Sequence, residues 1–311
     1  MAADLSIIIV SWNVCDLLRD CLRSIEAHRY GLDIETIVVD SHSADDSVDM
    51  VRREFPEVVL IACDENVGFP RGNNIGLARA TGRTLFLLNP DTVVIKDALP
   101  VMLRYLDQHP DVGVVGPQLR FGDGSIQSSR RRFPTVRTGM FESTWFEAAA
   151  PRTLLDDYYV HDVADDETAE VDWVMGAAML IRREVYTAVG GMDPDYFMYS
   201  EELDWCRRIK TAGWGVVYLP TAHITHFQGK SSEQASTARH INFNRAKLRY
   251  FRKYHGVIAS GWLRSILMIN YMAQIVIEGG KGVLGHKRPL RWQRVSAYWK
   301  VVRSGLKPAG Y

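Results

Sequence analysis

The first ninety residues alternate between short apolar runs and amphipathic segments, which restricts the chain to few folds. Residues 5–10, LSIIIV, form an apolar run rich in β-branched residues, as expected for a strand covered on both faces. Further strand patterns lie at residues 36–39, 58–62 and 84–88. Apolar stripes at helical spacing lie between them, at residues 16–28, 45–55 and 72–80. Repeated strand–helix–strand units predict an α/β fold with a mostly parallel, Rossmann-like sheet flanked by helices.

Beyond Pro90 the pattern is less regular. Residues 135–170 are acidic and without period, and we expect a variable loop region there. The remaining ordered elements are predicted at residues 98–108, 113–116, 171–182, 201–212 and 215–219. We expect one catalytic domain over residues 1–235 and a basic, amphipathic helical tail over residues 236–311.

Charge is distributed unevenly although the net charge is zero. From Arg239 to the end there are fifteen Lys and Arg and one acidic residue, Glu278, so that the first 238 residues hold 22 basic and 36 acidic residues. An acidic body with a basic tail argues against a nucleic-acid partner and favours an anionic membrane surface.

The tail contains an apolar stretch, residues 257–277, whose polar residues recur at helical spacing. This polar stripe consists of Ser260, Arg264, Asn270, Gln274 and Glu278. A polar stripe on an apolar helix favours a location in the membrane interface. A helix packed against the body or against a homodimer partner, and a true membrane span, remain as alternatives.

Four cysteines without CxxC or metal-finger spacing indicate reduced thiols in a cytosolic protein. The N-terminal residues MAADLSIIIVSWN lack a basic segment and predict a first strand instead of a signal peptide. With the basic tail, these features predict a cytoplasmic protein, peripheral on the inner face of the cell membrane.

Polar residues follow three of the predicted strands: Ser11–Asn13, Asp40 and Asn89–Asp91. Ligands bind at the carboxyl edge of open α/β sheets, so we expect a site there. Asp91 would suit a hard divalent cation that also contacts phosphates, although Asn-Pro-Asp is equally good turn chemistry. Asp40 would accept a hydrogen bond from a nucleobase imide, with a cap or turn as the alternative.

The run ENVGFPRGNNIG, residues 65–76, mixes glycines, amides and one arginine before a helix. Its amides and side chains would form a diphosphate cradle, through Asn66, Gly68, Arg71 and Asn73. Neither the P-loop nor the dinucleotide-binding motif is matched.

Two further features are ambiguous by themselves. An aromatic run is followed by three acidic residues, Glu201, Glu202 and Asp204. One of them, if desolvated, would serve as a general base. Alternatively, the three form the acidic first turn of a helix, which the helix dipole favours. His226 lies in THFQGKSS with Gly229 and is either a ligand or a structural histidine.

Together these segments resemble the inverting family 2 glycosyltransferases of the GT-A fold, especially the bacterial rhamnosyltransferase-like branch. The similar motifs occur in the family's order over about residues 5–232: IIIVSWN, IVVDSHSADDS, ENVGFPRGNN, LFLLNPDT, GSIQSSRRRFPT, VDWVMGAAMLIRRE, GGMDPDYFMYSEELDWCRR and HITHFQGKSS. The resemblance implies that a sugar is transferred from a nucleotide diphosphate to a hydroxyl of a glycan or polyprenyl-linked acceptor. The first expectation for the donor is dTDP-rhamnose, and the expected cofactor is Mn²⁺ or Mg²⁺.

The resemblance also implies roles for residues. Ser11, Asn13 and Asp40 would contact the nucleoside, and Trp173 and Gly176 would lie near the acceptor and donor sugar. The metal ligands would be Asp91, Asn89 and His226, and Glu202 would be the catalytic base, with Glu201 or Asp204 as substitutes.

Two residues depart from the family pattern. Asn89 replaces an acidic residue, and Glu202 replaces the usual Asp. These departures leave a catalytically silent GT-A scaffold as an alternative, which turnover of a nucleotide-sugar would exclude. A nucleotidyltransferase is disfavoured because no Gly-rich loop with a Lys follows the first strand.

Overall fold

The computed structural model describes residues 3–227 and 236–307. The chain folds into two compact units. The first comprises Met1–Phe133, Tyr159–Pro194 and Glu201–Ser231, and the second Pro134–Tyr158, Asp195–Ser200 and Ser232–Tyr311. The second unit is thus assembled from three stretches of chain, and the predicted domain boundary at residue 235 stays a prediction.

A ten-stranded mixed sheet forms the centre of the first unit. The strands in chain order are β1 (Leu5–Ser11), β2 (Ile34–Asp40), β3 (Val59–Ala62), β4 (Thr84–Leu88), β5 (Thr92–Val94), β6 (Val112–Arg120), β7 (Ile126–Gln127), β8 (Arg130–Arg131), β9 (Ala169–Glu170), β10 (Trp173–Val174), β11 (Ala178–Arg182) and β12 (Gly215–His226). The main path runs β3-β2-β1-β4-β11-β6-β12-β5, with β7 beside β6 and β9 beside β12, while β8 and β10 pair separately.

The neighbours in the first half of the sheet are parallel, and β11 reverses the direction. Strand β1 pairs in parallel with β2 and β4, and β2 with β3. Strand β11 is antiparallel to both β4 and β6, whereas β6 and β12 are parallel again. Since the carboxyl ends of β1, β2 and β4 lie at one edge, the residues that follow them are neighbours.

The described residues form helices in both units, and those of the first unit cover the two faces of its sheet. The helices are α1 (Cys15–Ala27), α2 (Ser47–Glu54), α3 (Phe69–Arg79), α4 (Ala98–Gln108), α5 (Val136–Phe141), α6 (Arg152–Tyr158), α7 (Arg183–Val189), α8 (Glu201–Thr211), α9 (Ser236–Val283) and α10 (Arg288–Ser304), with a 3-10 helix at Trp145–Ala149.

Successive β1 side chains alternate between the two faces. Ile7 and Ile9 belong to the apolar cluster that includes α1, α2 and α4, while Ile8 and Val10 belong to the cluster that includes α3 and α8. Full burial of each such side chain stabilises the fold by about 1.5–3 kcal/mol. The predicted α/β class, with a mostly parallel sheet flanked by helices, is confirmed.

Short elements were not visible in the sequence. Residues 135–170, expected to be a loop, contain α5, the 3-10 helix, α6 and β9. Thr135 caps α5, since its Oγ1 accepts a hydrogen bond from the amide of Thr138 at 3.1 Å. Elements of two to seven residues are too short to show an apolar period, which explains the difference.

The last two helices belong to the second unit. Gly256, at φ 85°, interrupts the helical backbone of α9, and Gly305 ends α10 in the left-handed conformation. Among the described residues, no helix combines the length and the apolar character that crossing a membrane requires.

Candidate active site

Ser11 and Asp40 lie side by side at the edge of the sheet. Each is the last residue of its strand, and the parallel register of β1 and β2 pairs them directly. Both are buried. Asp40 Oδ1 accepts a hydrogen bond from the Ser43 amide at 2.8 Å, whereas Asp40 Oδ2 and Ser11 Oγ have no partner within the described residues. Buried acceptors without partners are uncommon, and these two fit a ligand with N–H or O–H donors.

Asn13 connects the two loops that follow β1 and β2. Its Oδ1 accepts a hydrogen bond from the Ala44 amide at 2.6 Å, and its own amide donates to Ser43 Oγ at 2.9 Å. Asn13 and His42 both have positive φ values, 52° and 65°. Non-glycine residues in that region are uncommon, and Asn tolerates it best. Asn13 therefore shapes the loop beside Ser11 and Asp40.

The predicted diphosphate cradle lies at the start of α3, which begins at Phe69 and not at residue 72. Asn66 Oδ1 accepts hydrogen bonds from Ser41 Oγ at 3.2 Å and from the Gly68 amide at 3.0 Å, which joins the loop to β2. Gly68 precedes the helix at φ 75°. Because Pro70 has no N–H, the amides of Phe69 and Arg71 are the ones that the helix start leaves without an intrahelical partner, after a turn that glycine permits.

Two further cradle residues differ in exposure. Asn73 is buried and donates to the Phe69 carbonyl at 2.9 Å. Arg71 is exposed, and its Nε donates to the Pro194 carbonyl at 3.1 Å. The contact leaves the charged guanidinium at the surface beside the helix start, where an anion would meet it.

Asp91 and His226 form the second cluster of the site. His226, the last residue of β12, pairs with Thr92 of β5, so that its side chain meets the Asp91 carboxylate. His226 Nε2 lies 3.4 Å from Asp91 Oδ1, and both residues are about 95% buried (4% and 5% exposed). The Phe227 amide donates to the Asp91 carbonyl at 2.8 Å and fixes the backbone.

Gln127 lies on the other side of the His226 ring from Asp91. Gln127 Oε1 lies 2.8 Å from His226 Nδ1, and where Nδ1 is the donor of that hydrogen bond, Nε2 is left as an acceptor. The lone pair of Nε2 then points at a carboxylate oxygen. Two acceptors at this distance repel each other unless a proton or a cation lies between them. The arrangement thus fits a divalent cation held by both side chains.

Few side chains could coordinate a metal ion at this site. The described part of the chain contains no group of three or more His, Cys, Asp and Glu side chains placed to hold a metal. Mg²⁺ is commonly held by one or two carboxylates together with substrate phosphates, which a site of this size allows. Asn89 adds a buried Oδ1 that, over the described residues, has no hydrogen-bond partner, and its amide donates to the Ala177 carbonyl at 2.9 Å.

Glu201 and Glu202 begin α8. Burial raises the pKa of Glu201 well above its usual value, and the adjacent Glu202 charge raises it further. Burial also raises the pKa of Glu202, although backbone amides, including that of Gly176, act in the opposite direction. Within the described chain, one carboxylate oxygen of each, Oε2, is buried without a partner. Both carboxyls therefore bind a proton more readily than an ordinary glutamate does.

Asp204 differs from its two neighbours. It is fully buried and pairs with Arg208, whose Nε lies 3.0 Å from Asp204 Oδ2. Arg208 also donates to the Val189 and Gly191 carbonyls. This pairing favours a structural role that ties α8 to the end of α7, and Asp204 as a substitute base stays a prediction.

Gly176 and Trp173 connect Glu202 to the rest of the site. A Cβ on Gly176 would lie 3.4 Å from Glu202 Cβ, so this glycine and the base candidate are in contact. Gly176 immediately precedes Ala177, whose carbonyl binds the Asn89 amide. Trp173 is half-buried in β10 and donates from Nε1 to the Arg132 carbonyl at 3.1 Å.

Three consecutive arginines lie in and after β8, and each is engaged within the first unit. Arg130 is buried, forms an ion pair with Asp165 at 3.1 Å and lies over the Tyr218 ring. Arg131 lies over the ring of Tyr159. Arg132 pairs with Asp162 at 2.7 Å. These contacts favour roles in shaping the wall beside Gln127.

The first unit therefore brings together most of the predicted residues. Glu202 contacts Gly176, the next residue, Ala177, bonds the amide of Asn89, and Asp91 follows two residues later, while Ser11 and Asp40 lie at the ends of β1 and β2. Gln127 was not foreseen, and its only signal was an amide in the arginine-rich GSIQSSRRR. Gly229, predicted near His226, falls outside the described residues.

Comparisons with known proteins bear on the family and the fold. Residues 2–242 match the family described as "Glycosyltransferase like family 2". The N-acetylglucosaminyl-diphospho-decaprenol L-rhamnosyltransferase of Mycobacterium tuberculosis is 26% identical over 257 residues, which cover 75% of this chain and 78% of the relative. Rhamnosyltransferase WbbL of Escherichia coli K12 is 27% identical over 168 residues, 51% of this chain and 61% of that protein.

Among solved structures, the mannosyltransferase PcManGT from Pyrobaculum calidifontis, in complex with GDP-Man and Mn²⁺, superposes with a TM-score of 0.57. The match covers 98% of this chain and 87% of that chain at 18% sequence identity, which shows a shared fold. Because the family match takes in more than half of the residues, the chain belongs to the family 2 glycosyltransferases, transferase enzymes of the GT-A fold, as its motifs predicted.

Proposed function

We propose that this enzyme transfers a sugar from a nucleoside diphosphate to an acceptor hydroxyl by a single displacement that inverts the anomeric configuration. The observation that carries the proposal is a chain of contacts. A buried carboxylate, Glu202, lies against Gly176, which adjoins the Asn89–Asp91 segment, and Asp91 faces His226. A base and a cation-binding pair at one sheet edge are the two groups that such a transfer needs.

The nucleoside is bound by the two unpartnered acceptors at the ends of β1 and β2. Asp40 Oδ2 accepts the imide N–H of thymine or uracil, and Ser11 Oγ binds a further polar group of the nucleoside. The unpartnered acceptor at Asp40 is compatible with the expectation of dTDP-rhamnose as donor, because thymine, like uracil, has an imide N–H. The rhamnosyltransferase names of the two relatives support the same sugar.

The diphosphate lies between the start of α3 and the Asp91–His226 pair. The first amides of α3 and the Arg71 guanidinium bind phosphate oxygens, and the glycine at position 68 lets them approach. Asp91 and His226, with the Asn89 oxygen nearby, would hold Mn²⁺ or Mg²⁺, which would supply Lewis-acid stabilisation of charge on the diphosphate. The Mn²⁺ of the Pyrobaculum mannosyltransferase complex supports this assignment.

In the chemical step Glu202 accepts the proton of the acceptor hydroxyl. The oxygen attacks the anomeric carbon from the face opposite the diphosphate and forms the new C–O bond. The bond to the diphosphate breaks, and its electron pair stays on the leaving phosphate oxygen. The raised pKa of Glu202 suits this work, because a base nearer neutrality takes a proton with more driving force.

The acceptor is proposed to be a polyprenyl-linked glycan, which places the enzyme at the inner face of the cell membrane. The decaprenol in the name of the Mycobacterium relative supports a lipid-linked acceptor. The basic C-terminal quarter, with fifteen cationic residues and one anionic residue, supports contact with an anionic surface. The predicted homodimer stays an alternative use of the same segment.

Thermal shift with nucleoside diphosphates in the presence of Mn²⁺ tests the donor assignment. A diphosphate at 100 times its dissociation constant should stabilise the fold by about 2.7 kcal/mol. We expect dTDP to raise the melting temperature most, and Asp40→Ala to abolish the rise. Asp49→Ala, at an exposed position on α2, serves as the control and should retain it. A rise with dTDP that Asp40→Ala leaves unchanged contradicts the assignment of Asp40.

Turnover separates an active enzyme from a silent scaffold. We expect release of nucleoside diphosphate from a nucleotide-sugar with a lipid-linked acceptor, and its loss in Asp91→Ala. Tight nucleotide binding without any turnover over a panel of sugars and acceptors would identify a scaffold. Full activity of Asp91→Ala would remove the proposed metal site.

A further inference from the structure

The second half of α9 has its polar stripe turned inward. Ser260 Oγ donates to the Leu248 carbonyl at 2.9 Å, and Arg264 Nε donates to the Gly305 carbonyl at 2.6 Å. Glu278 accepts from Arg291 of α10 at 2.6 Å. All these partners belong to the second unit. The polar stripe that the sequence places on this helix is thus a packing surface and not its water-facing side.

The opposite side of the same helix is apolar and exposed. Its large side chains, which we call the apolar stripe, are Ile258, Trp262, Ile269, Met272, Val276 and Val283. Ile258 is 90% exposed and Val276 73%. At about 100° per residue, all six fall within roughly 80° of arc, and they extend over about 38 Å of helix. The stripe is therefore one continuous surface.

Such a surface requires a covering partner. Of the seventeen large hydrophobic side chains exposed over the described residues, eleven lie between Val257 and Trp299. Single exposed hydrophobic residues are ordinary, but contiguous apolar patches mark interaction sites. The stripe runs along the helix after Gly256, and α10 carries two further exposed tryptophans, Trp292 and Trp299.

Charge identifies the kind of partner. Exposed cations are frequent in the same region: Lys253, Lys281, Lys287, Arg294, Lys300 and Arg303. The single acidic residue of this region, Glu278, is buried and neutralised by Arg291. A second copy would bring the same excess of positive charge, whereas an anionic lipid surface is complementary to it.

We infer that the apolar stripe is a docking surface for an anionic lipid bilayer. The helix lies in the plane of the interface, with the stripe toward the acyl chains and the lysines and arginines at the level of the headgroups. Trp262, Trp292 and Trp299 are exposed along this surface, and tryptophan favours that depth. The inference deepens the membrane contact included in the proposed function, since it names the face and the lipid.

Vesicle flotation of the full chain tests the surface without donor or acceptor. We expect binding to vesicles of phosphatidylcholine with phosphatidylglycerol, and little binding to phosphatidylcholine alone. The double variant Ile269→Gln/Val276→Gln should bind at least about tenfold more weakly, because two large side chains lose their burial in lipid. Tyr30→Gln, an exposed residue of the first unit, is the matched control and should bind like the unsubstituted protein.

Two outcomes overturn the inference. Equal binding of the double variant and the unsubstituted chain would show that the stripe does not dock. A dimer in light scattering without lipid, which the double variant dissociates, would assign the stripe to a second copy. Thermal shift is measured on the same variants with dTDP and Mn²⁺. The melting temperature reports the fold, and its rise with dTDP and Mn²⁺ reports the donor site. Failure of the docking surface is thereby distinguished from failure of the proposed function.

Discussion

Two adjacent glutamates at the start of α8 carry carboxyls that burial makes less acidic. Glu202 contacts Gly176, whose neighbour Ala177 bonds Asn89. We therefore expect Glu202→Gln to lower kcat by about 10²–10⁴-fold, the usual contribution of a general base. Glu201→Gln is the matched control and should retain most of the activity. Loss in Glu201→Gln with retention in Glu202→Gln would transfer the role to Glu201.

The raised pKa of Glu202 also predicts the pH dependence. The base works only when it is deprotonated, so activity falls as the pH decreases through the folded-state pKa. Because burial raises that pKa, the acid limb of kcat/KM should lie at higher pH than for an ordinary glutamate. Measurement of kcat/KM against pH checks this, and an acid limb at the ordinary glutamate value contradicts it.

Gln127 should act through His226 and not on the substrate. Where Nδ1 of His226 donates to Gln127 Oε1, Nε2 is left as an acceptor toward Asp91. Partners of this kind typically contribute 10–100-fold in metal affinity. We expect Gln127→Leu to weaken Mn²⁺ binding by about that factor, measured by calorimetry or electron paramagnetic resonance, while Gln127→Glu, which keeps an acceptor, retains it. Equal affinity in all three proteins would show that Gln127 has no such role.

Site residues could be predicted from the sequence where their position depends on a single strand. Ser11 and Asp40 directly follow apolar runs, and the structure places them at the ends of β1 and β2. Gln127 lies in a two-residue strand, and its approach to His226 spans ninety-nine positions along the chain. A local sequence pattern cannot predict a contact between residues so far apart in the chain.

The helix that is proposed to bind the diphosphate is α3, which packs closely on β1 through glycines. A Cβ on Gly72 would lie 2.8 Å from Val10 Cγ1, and one on Gly76 would overlap Ile8. We expect Gly76→Ala to destabilise the fold by about 1–3 kcal/mol through overpacking, measured by urea unfolding. Ala78→Leu adds volume on the exposed side of the same helix and should change stability by less than about 0.5 kcal/mol. Equal effects of the two substitutions contradict the close packing.

Elements with a clear period were predictable, and those shaped by their neighbours were not. The stripe of α1 and the apolar run of β1 appear in the sequence because each is long enough to repeat its pattern. The reversed direction of β11 leaves no such trace, since a buried strand has the same composition in either direction. The polar stripe of α9 was visible, but only the structure shows that it faces α10.

Across the whole molecule, charge is segregated along the chain. Residues 1–238 carry 22 basic and 36 acidic side chains, a balance of −14, and residues 239–311 carry fifteen and one, a balance of +14. The segregation was readable from the sequence. The second unit was not, because segments 134–158 and 195–200 join the C-terminal helices through contacts distant in the chain.

This segregation predicts a salt dependence that differs between two kinds of acceptor. At about 0.1 M ionic strength the screening length is about 10 Å, and it falls to about 3 Å at 1 M. Attraction between the basic segment and an anionic vesicle should weaken over that range, so transfer to a lipid-linked acceptor in phosphatidylglycerol vesicles should fall steeply with added salt. Transfer to a short, water-soluble acceptor depends on buried groups such as Asp91 and Glu202, which salt screens much less, and should change little. Parallel kcat/KM measurements over a salt series check this. Equal salt dependence for both acceptors would show that surface charge does not bring the enzyme to its substrate.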